Sequence, residues 1–243
     1  MRTAFILAAG LGTRLRPLTE RVPKALVPIN GQPILQKNLT YLRRFGFERF
    51  IINTHYLAEQ VQEFVQNFQP HFEAELLLMP EPTQILDTGG AVKNISTLLD
   101  ADESVLVYNV DMLTNMDLGD FIRSNDPAIA ARLLVSHRQS SRNLIFDPQN
   151  RLVGWQNTQP PKSKHTKHYQ PNLPQQLAAF NGVHILNPIA RQHFPETAVF
   201  GLIDWFLQLS ENLPIEAYWA PENAEFLDIG TMEKLEKAQH FIV

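Results

Sequence analysis

A short apolar run, Ala4 to Ala9, breaks into Gly10-Leu11-Gly12-Thr13-Arg14, and a polar loop then delivers Pro23-Lys24. The run has the length and apolarity of a strand buried on both faces, as in a parallel sheet. The two glycines let the backbone turn tightly and approach a ligand with no Cβ in the way. Amide N–H groups in such a turn form an anion-binding concavity, and Arg14, Arg16 and Lys24 add positive charge beside it. The arrangement suits a polyphosphate.

Two better-known glycine loops fail on spacing. Gly-x-x-x-x-Gly-Lys-Ser/Thr is absent, which excludes the nucleoside-triphosphatase P-loop. A dinucleotide-binding turn needs a third glycine where Leu15 stands, and Pro17 blocks an immediate helix. A merely tight strand-to-loop turn accounts for the glycines but not for the cluster Arg14, Arg16, Arg21 and Lys24.

The first half of the chain alternates strand-like and helix-like segments, which argues for crossover units around a parallel sheet. Pro33 to Phe45 places Leu35, Leu39 and Leu42 at helical spacing and stops at Gly46. Arg49 to Asn53 reads as a strand and Leu57 to Asn67 as the following helix. Glu73 to Met79 is a third strand, a helix starting near Gly90 runs to Leu99, and Ser104 to Asn109 is a fourth strand that delivers Asp111. The expected fold is therefore α/β, a doubly wound, mostly parallel sheet in one domain, 1–243. Ligands bind beyond the carboxyl ends of strands in such folds, and Gly10, Thr88, Gly89 and Asp111 fall at such ends. The second half is less regular. It reads as a strand Ile129 to Ser136, a hairpin from Leu144-Ile145-Phe146 to Leu152-Val153, an exposed polar loop Gln156 to Gln176, the segments Ala178–Leu186, Ile203–Leu213 and Ile215–Trp219, and a closing helix Met232 to Phe241. The polar loop carries too little apolar content to fold alone.

At 243 residues the chain can bury a large core. Its net charge of −4 argues against nucleic-acid or anionic-membrane partners, which need a broad positive field. With no cysteine, disulfides, thiolate metal sites and cysteine nucleophiles are excluded. The start, Met1-Arg2-Thr3, runs straight into the first strand without a secretory signal, and a cytoplasmic location is expected.

The opening residues resemble the sugar nucleotidyltransferases, the nucleoside-diphosphate-sugar pyrophosphorylases. The family pattern of leucine-alanine-alanine-glycine-x-glycine-threonine-arginine, leucine-x-proline-leucine-threonine and proline-lysine is matched by Leu7 to Arg14, Leu15 to Thr19 and Pro23-Lys24. The likeness continues through Leu26-Val27-Pro28 and Gly31-x-Pro33-Ile34-Leu35. It recurs at Thr88-Gly89-Gly90, Asn109-Val110-Asp111 and Asp228-Ile229-Gly230-Thr231. It implies a Rossmann-like nucleotidyltransferase fold whose N-terminal half binds nucleotide and whose C-terminal half binds sugar. The implied partners are a nucleoside triphosphate and a sugar 1-phosphate. The implied reaction yields pyrophosphate and a nucleoside-diphosphate sugar.

By that resemblance Arg14 holds the departing β- and γ-phosphates and Lys24 reaches the α-phosphate and the incoming sugar phosphate. Ala9, Gly10, Gly12 and Thr13 form the nucleotide turn, with Asn109 at the end of its strand. Thr88-Gly89 looks like the base-recognition loop, with Glu81 as a polar partner; Asp87 or Thr88 can also simply cap that helix. Asp111 and Asp228 would bind Mg²⁺, which takes one or two carboxylates plus phosphate oxygens; a turn-forming role for Asp228 stays open. Val110 stands where the family usually has glycine. Asn181-Gly182-Val183 resembles the segment beneath the sugar. Arg138 and Arg142 can clamp an anionic group, or serve as solvated hairpin charges. The glutamate-lysine-proline segment of many larger members is missing, with Trp155-Gln156-Asn157 in its place. His165 and His168 lack companions for a metal site, and Trp205, Phe206 and Trp219 read as core. Among compact members the layout is closest to the N-acetylmuramate 1-phosphate uridylyltransferases. Hexose or heptose 1-phosphate guanylyltransferases, phosphocholine cytidylyltransferases and a non-catalytic nucleotide-sugar sensor are the alternatives.

Overall fold

The computed structural model describes residues 2–81 and 84–241. In chain order it has β1 (Thr3–Leu7), β2 (Pro28–Ile29), β3 (Gln32–Pro33), α1 (Ile34–Arg43), β4 (Arg49–Thr54), α2 (Ala58–Phe68), β5 (Glu75–Pro80) and α3 (Asp87–Ile95). There follow β6 (Val105–Asn109), β7 (Met112–Thr114), α4 (Gly119–Arg123), β8 (Ala131–Ser136), β9 (Arg142–Phe146), β10 (Leu152–Thr158) and β11 (Pro161–His165). The last elements are β12 (Gln176–Leu186), α5 (Pro188–Arg191), α6 (Leu202–Leu209), β13 (Ile215–Trp219), β14 (Phe226–Asp228) and α7 (Met232–Ala238). Contacts divide the chain into two compact units, Met1–Ile85 with Val107–Asp117 and Ala224–Val243, and Leu86–Leu106 with Leu118–Asn223.

The first unit holds the expected α/β arrangement. Its strands run in the order β6-β1-β4-β5, with β1 and β4 parallel and β4 and β5 parallel. Buried runs such as Ala4-Phe5-Ile6 and Phe50-Ile51-Ile52 explain why these strands are apolar throughout rather than alternating. Helix α1 turns Ile34, Leu35, Leu39 and Leu42 inward at helical spacing and gives way to Gly46, whose φ of +80° few other residues tolerate. Its buried face also carries Asn38, whose amide donates to the Val110 carbonyl at 2.7 Å. A polar side chain is tolerated there because it is paired, and the bond anchors the chain just before Asp111.

In the second unit β12 lies antiparallel to both β8 and β9, β10 lies antiparallel to both β9 and β11, and β13 runs parallel to β8. The stretch expected as a polar loop from Gln156 to Gln176 is corrected here. Its first part completes β10, and Pro161–His165 forms β11, paired from Thr158↔Pro161 to Gly154↔His165. Low apolar content hides an edge strand, because only one of its sides needs a partner and its side chains can face water. Lys164 draws further support from an ion pair with Asp204 and a place 5.9 Å over the Trp155 ring. Trp205 and Phe206 are buried as expected. Trp219 is half-buried, stacked on His137 and donating its indole N–H to Asn150 at 2.9 Å.

His184 on β12 is a buried imidazole set edge-on to Phe206, and neither ring nitrogen has a partner among the described residues. Burial pushes its pKa down to about 3. The unfolded chain takes up this proton near pH 6.5 and the folded chain only near 3, so stability falls as pH drops through that window, by up to about 1.4 kcal/mol per unit. A His184→Leu variant is expected to lose this part of the acid sensitivity. Urea midpoints taken from pH 7 to pH 4 check it; an unchanged slope in the variant assigns the sensitivity to other groups.

Candidate functional site

Strand β1 ends with Ala8 and Ala9 still buried and Gly10 exposed. The Ala8 N–H donates to the Asn53 side-chain oxygen at 2.6 Å, and the Asn53 amide in turn donates to Glu81 at 2.6 Å. Glu81 is 3% exposed, and its own carbonyl lies 2.6 Å from His55 Nδ1. A buried carboxylate joined to a buried amide fixes where β1 stops. Glu81 therefore serves the backbone beneath the turn, a use the sequence did not suggest.

The two glycines of the turn differ. A Cβ at Gly10 would meet nothing within 4 Å, so the backbone there is open to a ligand. Gly12 adopts φ +62°, and a Cβ on it would stand 2.8 Å from Thr19 Cγ2 and 3.3 Å from Lys24 Cβ. Its missing side chain lets the loop fold back, and the Thr19 hydroxyl seals it by donating to the Gly12 carbonyl at 2.8 Å. A short 3-10 turn, Thr13–Leu15, follows, with Leu15 buried and Thr13 and Arg14 exposed. Arg16 and Arg21 are exposed as well.

Lys24 opens another 3-10 turn, and its ammonium meets the Asp111 carboxylate at 2.5 Å. The side chains are 11% and 22% exposed, so this pair is more than surface decoration. Asp111 is held from several directions. The Val110 N–H donates to the Leu7 carbonyl at 3.1 Å, the Val110 carbonyl receives Asn38, and the Asp111 carbonyl receives the Ile229 N–H at 2.9 Å. Val110 itself is 4% exposed. Asn109 is half-buried at the end of β6.

Asp228 arrives by the pairing of β14 with β7, in which it stands opposite Met112. That register, with the Ile229 N–H on the Asp111 carbonyl, brings the backbone at Asp228 next to the backbone at Asp111, although 117 positions separate them in sequence. Asp228 accepts the Gly230 N–H at 3.1 Å and an ion pair from Lys234. A Cβ at Gly230 would lie 2.7 Å from an Arg14 guanidinium nitrogen and 2.8 Å from Asp228, so the glycine is what lets Arg14 pack against this loop. Arg14, Lys24, Asp111 and Asp228 thus gather in the first unit at the carboxyl ends of β1 and β6. Two aspartates on adjacent stretches of backbone offer hard oxygen donors of the kind Mg²⁺ takes, its shell being completed by water and phosphate. Among the described residues no group of three or more acidic or histidine side chains forms a self-sufficient metal cage.

The remaining expected residues lie in the second unit. Thr88 and Gly89 sit in the first turn of α3, earlier than the expected helix start. The spaces beside Gly89 and Gly90 are taken by the chain itself, by Phe200 and by the Ala198 carbonyl. The Gly89 N–H donates to the Phe200 carbonyl at 3.0 Å and the Thr88 hydroxyl accepts the Leu202 N–H at 3.1 Å. These glycines are required for packing of α3 on the 198–202 segment, a structural demand that stands beside the base-recognition role implied by the resemblance. Asn181 is fully buried at a bulge of β12, where the register shifts between Phe180 and His184 and Gly182 takes φ +70°. Its oxygen accepts from Ser136 at 3.1 Å and from Arg138 Nε at 2.9 Å, and Arg138 also donates to the Phe180 carbonyl at 2.9 Å. Since guanidinium N–H groups only donate, the atom of Asn181 facing Arg138 must be its oxygen. Arg142 is exposed at the start of β9, opposite Asn157.

A family model described as nucleotidyl transferase matches residues 3–143. An N-acetylmuramate alpha-1-phosphate uridylyltransferase of Neisseria meningitidis is 35% identical over 114 residues, 47% of this chain and 48% of that protein. A D-glycero-alpha-D-manno-heptose 1-phosphate guanylyltransferase of Aneurinibacillus thermoaerophilus is 33% identical over 115 residues, 47% of this chain and 48% of that protein. These matches span about half the length of each relative. Among solved structures, HddC from Yersinia pseudotuberculosis complexed with GMP-PN superposes with a TM-score of 0.75 at 25% identity, covering 99% of both chains. Among the described residues no helix is long and apolar enough to cross a membrane.

Proposed function

The chain belongs to the nucleotidyl transferase family, and from that premise we propose that it joins a nucleoside triphosphate to a sugar 1-phosphate. The observation that carries this reading is the gathering of Lys24, Asp111, Asp228 and Arg14 at one set of strand ends. An oxygen of the sugar phosphate attacks the α-phosphorus, the bond to the β-phosphate breaks, and pyrophosphate leaves. That oxygen is already ionised near neutral pH, because a phosphomonoester's second pKa is about 6. The chain therefore needs no nucleophilic side chain and no general base, in keeping with its lack of cysteine. Its task is to bring two polyanions into line and to stabilise the charge that develops on the leaving group. Lys24 faces the α-phosphate and the incoming phosphate, the amides around Gly10 cradle the chain of phosphates, and Arg14 holds the end that departs. Asp111 and Asp228 are the residues that would hold Mg²⁺, which when bound would supply the remaining positive charge.

For the acceptor we propose N-acetylmuramate 1-phosphate with UTP, supported by the uridylyltransferase relative. A heptose 1-phosphate with GTP is the second reading, supported by the guanylyltransferase relative and the GMP-PN-bound structural neighbour. Asn181, Gly182 and Arg142 are the proposed sugar contacts. A pyrophosphate-release screen decides, crossing four nucleoside triphosphates with muramic, glucosamine, mannose and heptose 1-phosphates and with phosphocholine. Turnover confined to phosphocholine would replace the sugar reading, and silence everywhere with Mg²⁺ present would favour a nucleotide-sugar sensor.

A further inference from the structure

Lys234 stands at a position where helix rules ask for the opposite charge. Thr231 is the N-cap of α7, and its hydroxyl accepts the Lys234 N–H at 3.4 Å. The third residue of the helix after a threonine cap is the usual place for glutamate or glutamine, which reach back to the cap, and first-turn N–H groups disfavour a cation. The chain instead carries lysine there, with its ammonium on Asp228. The capping rule is given up and an ion pair to Asp228 stands in its place, so what Lys234 does has to be read from that pair.

The surroundings say what that purpose is. The two aspartates lie on adjacent stretches of backbone and each is paired with its own lysine, Asp111 with Lys24 and Asp228 with Lys234. Arg14 packs against the same Asp228–Gly230 loop, so three cations face two carboxylates in this unit. A divalent cation entering between the aspartates competes with both ammoniums for the same oxygens. An ammonium displaced from Asp228 by the metal is left beside Arg14 on a flexible stem, where a phosphate oxygen is its natural next partner. Its side chain is 39% exposed, which leaves it room to move.

We infer that Lys234 is a phosphate-binding residue held in reserve: it pairs with Asp228 while the metal is absent and moves to the nucleotide's terminal phosphates when the metal takes its place. This inference rests on the proposed nucleotidyl transfer and adds a group that the sequence pattern did not supply.

The exchange predicts two effects of opposite sign, which a structural lysine would not produce. In Lys234→Met, Mn²⁺ binding to the nucleotide-free protein, followed by electron paramagnetic resonance, is expected to tighten by about 3- to 10-fold, since a competing charge is gone. Binding of inorganic tripolyphosphate in the presence of Mn²⁺, followed by calorimetry, is expected to weaken by about 10-fold, the loss of one charge-assisted contact. Tripolyphosphate makes the readout independent of the nucleobase. Lys234→Arg is expected to restore most of the tripolyphosphate binding. Lys234→Gln keeps most of the stem and guards against a fold defect. Unchanged or jointly weakened affinities in both neutral variants would overturn the inference, while wild-type turnover in the substrate screen would leave the proposed function standing. A wild-type protein that binds neither Mn²⁺ nor tripolyphosphate would overturn both.

Discussion

Replacing Lys24 by alanine is expected to lower kcat by about 10²–10³-fold with the chain still folded, the usual cost of removing one preorganised contact to developing charge. The ammonium sits 2.5 Å from Asp111 with only 11% of the side chain exposed, so it is aimed before substrate arrives and needs little reorganisation to act. Removing it has two consequences. The α-phosphate loses its nearest cation, and Asp111 loses the partner that offsets its charge in the metal-free protein. The second effect favours metal binding and cannot by itself slow the reaction. A large fall in kcat with a modest change in nucleotide KM would therefore locate the role of Lys24 in the transition state. Lys24→Arg is not expected to rescue, since a planar guanidinium fork does not reproduce the compact point charge that Lys24 sets on Asp111. Arg14→Ala is expected to lose as much, through the departing pyrophosphate. Turnover within threefold of wild type in either alanine variant would remove that residue from the mechanism.

The sequence made the strand, the turn and the charges legible because each is a local pattern. The buried run before Gly10, the helical spacing of Leu35, Leu39 and Leu42, and the apolar run before Asp111 all report on residues a few positions apart. What joins them was not local. Lys24 and Asp111 are 87 positions apart, and Asp228 is brought next to the Asp111 backbone by the short β7–β14 pairing, three residues on each strand, and the Ile229–Asp111 bond that continues it. Neither run is long enough to announce itself. Buried amides were equally silent. Nothing in the sequence marks Asn38, Asn53 and Asn181 as interior, yet each is buried and bonded, because a polar group is tolerated inside wherever its partners are supplied. Strand β11 was missed for the reverse reason: its lysines and histidine look like loop, and only the backbone ladder to β10 makes it a strand. The glycines at 89 and 90 show the limit of motif reading, since the same residues that match a ligand loop are demanded by the packing of Phe200 and Ala198. Lys234 alone left a trace, in the cation at a capping-box position.

Asp111→Asn is the sharper test of the metal site and carries the largest expected loss, about 10³-fold in kcat or more, since bound metal is worth several kcal/mol of charge stabilisation. The substitution changes one atom. The asparagine oxygen can still accept the Lys24 ammonium, and the backbone bonds from Ile229 and to Leu7 are untouched, so the turn keeps its shape. Thermal stability should accordingly move by only a few degrees, about 1 kcal/mol for a single altered polar contact. The charge is what goes. One carboxylate, Asp228, then remains to hold a divalent ion against the nearby Lys24, Lys234 and Arg14. Mn²⁺ affinity of the nucleotide-free variant is expected to drop at least about 10-fold, in the direction opposite to Lys234→Met. Raising the metal concentration should recover part of the activity if Asp111 acts through the ion and none if it acts only by orienting Lys24. A variant with wild-type Mn²⁺ binding but lost turnover would assign Asp111 to the lysine rather than to the metal.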